Sequence, residues 1–220
     1  MGSLLVQVAI YGLAAAFAAP IAAVVSALIL GVSQRPVVSA WTFVAGAALL
    51  DIGFSAVMLA SGLLDVSSDA SAWIDAGLGV LFLVMGIFAV FSSETPEKDE
   101  ARRARANKIA SSNLSALFLA GIAVQIINID AIAVFTGALK DIARADLSTA
   151  GTVFATAFGL AIMLSVYYVP PVIYSLVPAK ASTWLHAMSE WILANSRSLE
   201  IYVGIGFGLY FIAKGLVVLV

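Results

Sequence analysis

The sequence contains no cysteine and a single histidine, His186, in 220 residues. The first absence excludes disulfides, thiol redox chemistry and cysteine-based metal sites together. One histidine without cysteine cannot build an ordinary transition-metal site, so no metal is expected and His186 reads as a surface polar residue. Charge is scarce as well: Asp, Glu, Lys and Arg make up 11% of the chain and the formal net charge is −2. So little charge on apolar spans leaves no expectation of a nucleic-acid partner. A Gly-rich phosphate loop, a Ser-centred elbow and a paired-Asp motif are also missing. General acid–base and phosphoryl chemistry need such positioned groups, so the chain is read as not an enzyme and as free of cofactors.

Apolar residues, by contrast, make up 62% of the chain, and the mean hydropathy is +1.07. Ordinary globular domains hold roughly 45–50% apolar residues. The reading is an integral membrane protein. A spanning helix needs about 20 mostly apolar residues, because lipid offers no partner to backbone N–H and C=O groups. Six windows meet that length, roughly 4 to 31, 36 to 63, 71 to 92, 112 to 139, 147 to 177 and 198 to 219. No Lys or Arg precedes the first, it is too long for a signal segment, and a second span follows at once, so it is expected to be retained. Residues 1–220 are therefore read as one transmembrane domain: half one 1–92, a charged connector 93–110, and half two 111–220.

Basic residues are distributed unequally. Arg35, then Lys98, Arg102, Arg103, Arg105 and Lys108, then Lys180 and Arg197 fall on one side of six such spans. Lys140, Arg144 and Lys214 fall on the other, where the loop "LDVSSDAS" is purely acidic. The positive-inside rule makes the first side cytoplasmic and puts both termini outside. The segment "SSETPEKDEARRARANK" reads as a solvated connector. It separates two halves of three spans, and an odd number per half means that related halves would have opposite topologies. Sliding the sequence by 109 residues makes nine of the forty positions from Gly12 to Asp51 identical, among them Arg35 with Arg144 and Val25 with Val134. The same offset sets Ala19 opposite Asn128 and Pro20 opposite Ile129.

Polar residues within the spans point to a site. Pro20 removes a helix hydrogen bond and should kink or break span one. In "VQIINIDAIAVF", Gln125 and Asn128 lie about 60° apart around a helix, but Asp130 lies about 140–160° from both. An unbroken lipid-facing helix cannot hide all three, so span four should be enclosed or interrupted near Asn128. Asp51 and Asp130 are read as the deep carboxylates, one per half, with Ser55 a turn from Asp51. An intramembrane carboxylate faces protein or water and is either a proton carrier, a counter-charge or an interhelical hydrogen-bond donor. Lys214 lies near enough to a helix end to snorkel. In span five the prolines of "YYVPPVIYSLVP" should end or bend the helix, with Tyr167, Tyr168 and Tyr174 in an interfacial belt. After it, "ASTWLHAMSEWILANS" places Trp184, Leu185, Met188, Trp191 and Ile192 on one face of a short amphipathic helix.

Residues 169 to 216, "VPPVIYSLVPAKASTWLHAMSEWILANSRSLEIYVGIGFGLYFIAKGL", resemble the C-terminal half of the actinobacterial glycolipid-addressing, or sulfolipid-addressing, proteins. "INIDAIAVFTGALKDIARADLS", residues 127 to 148, is similar to that family's fourth span and outer loop. The resemblance implies membership of the lysine-exporter superfamily, a bacterial plasma-membrane location and a bundle of two inverted three-helix repeats with efflux activity. An Asn-Pro pair common in that superfamily is divided here between Ala19-Pro20 and Asn128-Ile129, which counts against amino-acid export. The expected function is a secondary transporter, or an export accessory, for an amphiphilic envelope lipid or glycolipid, with alternating access at a midplane site. Pro20, Gln125, Asn128 and Asp130 would bind substrate, with Asp51 and Asp130 coupling transport to protons. The alternatives are a non-transporting scaffold of a lipid biosynthesis or export complex, and a small-solute exporter. Membrane lipids, the lipid substrate, a second copy or a biosynthetic complex are the expected partners.

Overall fold

The structure, a computed structural model, describes residues 1–64, 66–91 and 96–219. Asp65 of the acidic loop and residues 92–95 of the connector lie outside the described residues, as do the side chains of Lys98 and Arg102. The described residues form eleven helices and no strand. In chain order these are α1 (Gly2–Ala18), α2 (Pro20–Val32), α3 (Pro36–Ala60), α4 (Ser68–Phe91), α5 (Pro96–Ala110) and α6 (Leu114–Ile127). They continue with α7 (Ile129–Ala143), α8 (Thr149–Met163), α9 (Ser165–Leu176), α10 (Pro178–Ala194) and α11 (Ser196–Leu219). By length and composition α3, α4 and α11 can each cross a membrane alone, and α1–α2, α6–α7 and α8–α9 each make one bent span, giving up to six.

Local sequence accounts for most of the boundaries. Pro20, Pro36 and Pro178 each open a helix, where the missing N–H is not needed. Asn113 and Ser148 cap α6 and α8 by accepting the backbone N–H of Ala116 and Gly151. The bends are 65° at Ala19, 73° at Asn128 and 71° at Leu164. Two of these match the expected breaks in spans one and four, and Ala19 and Asn128 stand 109 residues apart, the offset of the weak repeat.

The third bend corrects the reading of span five. It falls at Leu164, ahead of the prolines, and α9 runs on through Pro170 and Pro171. Pro171 has no N–H to offer the carbonyl of Tyr167 four residues earlier. That carbonyl instead accepts Ser26 Oγ from α2 at 2.7 Å, so the neighbouring helix supplies the missing donor. Tyr167 itself is buried in the core rather than in an interfacial belt.

Two further expectations change. The connector is largely helical: its Ala-Arg-rich run forms α5, which buries Ala106 and Ala110 in the same apolar cluster as Val24 and Val25 of α2. The amphipathic helix α10 exists, but Leu185, Ser189 and Leu193 form its buried face while Trp184 and Trp191 point outward. Arg103 of α5 and Glu190 of α10 meet at 2.6 Å, which places connector and amphipathic helix at one end of the bundle.

Glycine sets the closest helix crossings. In α3 and α6, which run antiparallel, a methyl group on Gly46 would collide with the Phe118 carbonyl, and one on Gly121 with the Phe43 carbonyl. The pair α4 and α11 is built the same way: a Cβ on Gly204 would lie 2.6 Å from Gly86 Cα. Close backbone approach through small residues is how membrane helices gain packing when lipid removes the hydrophobic drive between them.

Gly46→Val or Gly121→Val should therefore lower the melting temperature of the purified protein, by an overpacking cost of about 1–3 kcal/mol. Gly206→Ala, where no atom lies within 4 Å, should leave it unchanged. The hydrogen bond and charge of Arg103 hold the Glu190 carboxyl below its ordinary value of 4.5. A depressed acid contributes stability above its unfolded pKa and loses it as pH falls through the folded one. Protease cleavage within α5 should thus stay constant from neutral pH to about 5 and rise below the ordinary carboxylate range; because the pair is exposed, salt should loosen it too.

Candidate functional site

All three bend residues are buried, Ala19 at 2%, Asn128 at 9% and Leu164 at 7% exposure. Each bend interrupts the i to i−4 ladder and leaves amide groups at the start of the next half-helix without partners in it. Such backbone is tolerated at membrane depth only when enclosed in protein or lining a cavity. Here both conditions are used.

A cavity of about 290 Å³ reaches from the connector end to the first two bends. Pro20 and Asn128 line its inner part, Arg105, Ala106 and Ile109 of α5 its outer part, and Glu200 of α11 one wall. A second cavity of about 380 Å³ shares Ala18, Pro20 and Glu200 with the first and adds Asp130. Pro20 therefore stands between two spaces, one reaching Asn128 and the other Asp130. Asp130 is half-buried in the first turn of α7, where the helix dipole favours a carboxylate.

Gln125 and Asp51 lie elsewhere and are joined directly. Tyr167 donates to Gln125 Oε1 at 2.6 Å, and Gln125 Nε2 donates to Asp51 Oδ1 at 3.0 Å. This buried chain ties α9, α6 and α3 together. It is incomplete: Asp51 Oδ2, Ser55 Oγ, Asn128 Nδ2 and Thr156 Oγ1 are buried without a hydrogen-bond partner. A buried polar atom without a partner costs about 1–3 kcal/mol. The four expected substrate residues thus fall into three settings: Pro20 and Asn128 on one cavity, Asp130 with Pro20 on another, and Gln125 locked to Asp51. Tyr167 belongs with them, and the belt reading of the tyrosines hid it.

The reading of two deep carboxylates is also incomplete. Asp75 of α4 is buried at 3% exposure and is bound by three groups from three other helices. Tyr11 donates to Asp75 Oδ1 at 2.5 Å, Lys140 Nζ reaches the same oxygen at 2.5 Å, and Lys214 Nζ lies 3.0 Å from Oδ2. Lys214 also contacts Asp141 at 2.6 Å and the Tyr11 hydroxyl at 2.7 Å, and Lys140 donates to the Ser71 carbonyl at 3.0 Å. Lys214 does not snorkel and Lys140 is not a loop residue; at 1% exposure Lys140 is one of the largest fully buried side chains. Two lysines and two aspartates balance, which is what burial of charge demands. Opposite charges one to two turns inside the same ends of α4, α7 and α11 were the available signal. The network lies toward the end opposite α5 and α10, over a stack of Tyr11, Phe207 and Phe211.

Bent and buried half-helices, a connector-side cavity and a charged closure opposite it define a multi-span membrane protein with a polar interior. The chain belongs to the family described as Sap, sulfolipid-1-addressing protein, whose model matches residues 8–217. No curated protein and no solved structure gives a match.

Removing one partner from the ion network strands the rest. Asp75→Asn or Lys140→Met should destabilise the purified protein by about 3–5 kcal/mol, the usual cost of an orphaned buried charge. The double variant Asp75→Leu/Lys140→Leu, which leaves the Lys214–Asp141 pair intact, should recover much of that loss in thermal unfolding.

Proposed function

We propose that the chain is a transporter or export accessory for an amphiphilic cell-envelope lipid, acting by alternating access at the two central breaks, and not an enzyme. The observation that carries this reading is the pair of buried breaks at Ala19 and Asn128, 109 residues apart, which meet at one cavity reaching from the connector end. Two half-helix starts converging on an interior space is the arrangement that secondary transporters use to bind substrate near the midplane. Helix contacts support two inverted halves: α3 against α6 mirrors α8 against α1, and α4 against α11 maps onto itself. That pattern fits the lysine-exporter superfamily. The family name supplies the cargo class, since sulfolipid addressing implies a lipid with a polar head.

Orientation follows the same logic. With Lys140 and Lys214 neutralised in the ion network, few free basic residues remain at that end, so α5 and α10 are assigned to the cytoplasm of a bacterial plasma membrane. The cavity then opens inward while the network closes the outside. Unpartnered Asp51 Oδ2, at the end of the Tyr167–Gln125 chain, makes Asp51 the first candidate for proton coupling, with Asp130 the second. A scaffold role in a lipid-export complex is the second reading, favoured by the outward Trp184 and Trp191 of α10.

Reconstitution separates the two. Purified protein in liposomes should move a fluorescent glycolipid between leaflets; Asp51→Asn, which removes the carboxyl that would carry the proton, and Gln125→Leu, which removes a hydrogen bond to that carboxyl worth about 1.5–3 kcal/mol, should each slow it by roughly tenfold or more. A folded protein that moves no lipid alone would overturn the transporter reading in favour of the scaffold.

A further inference from the structure

The second cavity differs from the first in where it opens. Its walls are Phe17 at the end of α1 and Phe82, Met85 and Phe88 on one side of α4, with α11 completing it. Phe88 is 70% exposed and Met85 37%, while Phe82 is buried at 1%, so the lining runs from the outer surface of the bundle to its core. The outer lip lies on α4, a helix long and apolar enough to span, and its surroundings are therefore hydrocarbon rather than water. Pro20 and Asp130, both half-buried, also line it, Glu200 is exposed in the second turn of α11, and through Pro20 and Glu200 the groove adjoins the cavity of the central breaks.

We propose that this cavity is a lateral groove that holds the hydrocarbon chain of a hydroxyl-rich lipid in contact with the bilayer while its headgroup donates hydrogen bonds to Asp130. The inference rests on the lipid-transport reading and adds the route by which the lipid reaches the breaks. Three physical points lead to it. Drawing a chain out into water costs free energy for every methylene, so an amphiphile is moved most cheaply with its tail left in hydrocarbon. Lipid tails are as apolar as the groove walls, so the groove gains no hydrophobic affinity and serves to align the chain. Selectivity must therefore come from the polar end, where a carboxylate is an acceptor only: it suits sugar hydroxyls and repels a phosphate.

The test uses the full chain in nanodiscs of phosphatidylethanolamine and phosphatidylglycerol, doped with a glycosyl diacylglycerol carrying a diazirine in one chain. On irradiation, labelled peptides should come from α4 around Met85 and from α11 around Val203. Met85→Trp, which fills the groove, should abolish that labelling; Val84→Trp, its exposed neighbour outside the groove, should retain it. Phosphatidic acid with the same diazirine chain, an anionic headgroup without the ammonium donors of phosphatidylethanolamine, should label the groove weakly, and Asp130→Ala should narrow the difference between the two probes. Label spread evenly over outward residues such as Val57 and Val217, or labelling insensitive to Met85→Trp, would overturn the groove. Equal labelling by both probes on the native chain would overturn the headgroup assignment. Glycolipid movement in liposomes without groove labelling defeats this inference alone, whereas groove labelling without movement defeats the transporter reading and leaves the groove standing.

Discussion

A helix that stops inside a membrane exposes amide and carbonyl groups to a solvent that cannot bond them. This chain stops three helices in that way, at Ala19, Asn128 and Leu164, and the rest of the architecture keeps those points out of lipid. The unbroken helices α3, α4 and α11 present much of their surface outward, and of the half-helices α2 and α7 are the most deeply buried. Glycine pairs let the surrounding helices approach backbone to backbone, and the carbonyl freed by Pro171 finds its donor on Ser26. Enclosure of the breaks is thus the condition under which the polar interior can exist.

The two ends of the bundle treat polarity differently. Toward the connector the interior is open, with Arg105 at the rim of a cavity that deepens to Asn128. Toward the other end it is sealed by Asp75, Lys140, Asp141, Lys214 and Tyr11, drawn from four helices. Buried charges of balanced sign give directional contacts that apolar packing lacks, and here they tie four helices to one another. An interior open on one side and bonded shut on the other is one of the two states that alternating access requires, and that asymmetry gives the lipid-export reading its mechanical content.

Between the ends, the hydrogen-bond chain Tyr167–Gln125–Asp51 links the second and third broken spans to α3. Each link depends on a break or its consequences. Gln125 sits three residues before the Asn128 bend, and Tyr167 three residues after the Leu164 bend. Moving either bend would carry its side chain around the helix and part the chain from Asp51.

Much of this was legible in the residues themselves. Six apolar windows, the amphipathic α10, the resemblance to the lipid-addressing family, a kink or break at Pro20 and the need to enclose or interrupt span four near Asn128 follow from composition, from one proline, and from the geometric fact that Gln125, Asn128 and Asp130 cannot share a helix face. These are local properties, decided within a few turns of chain. The groupings of side chains are not local. Asp75, Lys140, Lys214 and Tyr11 come from distant segments, and a charge read alone looks like a loop residue or a snorkelling tail until its partner is placed beside it. Gln125 and Asp130, five residues apart, were assigned to one site, yet the 73° bend between them sends one to Asp51 and the other to the second cavity. The sequence by itself determined that the chain must span, must kink or break near Pro20, must enclose or interrupt span four near Asn128, and must hide polar groups. Which polar groups meet was decided only in the tertiary structure, because it depends on how the half-helices cross, and crossing is set by packing between segments rather than by either segment alone.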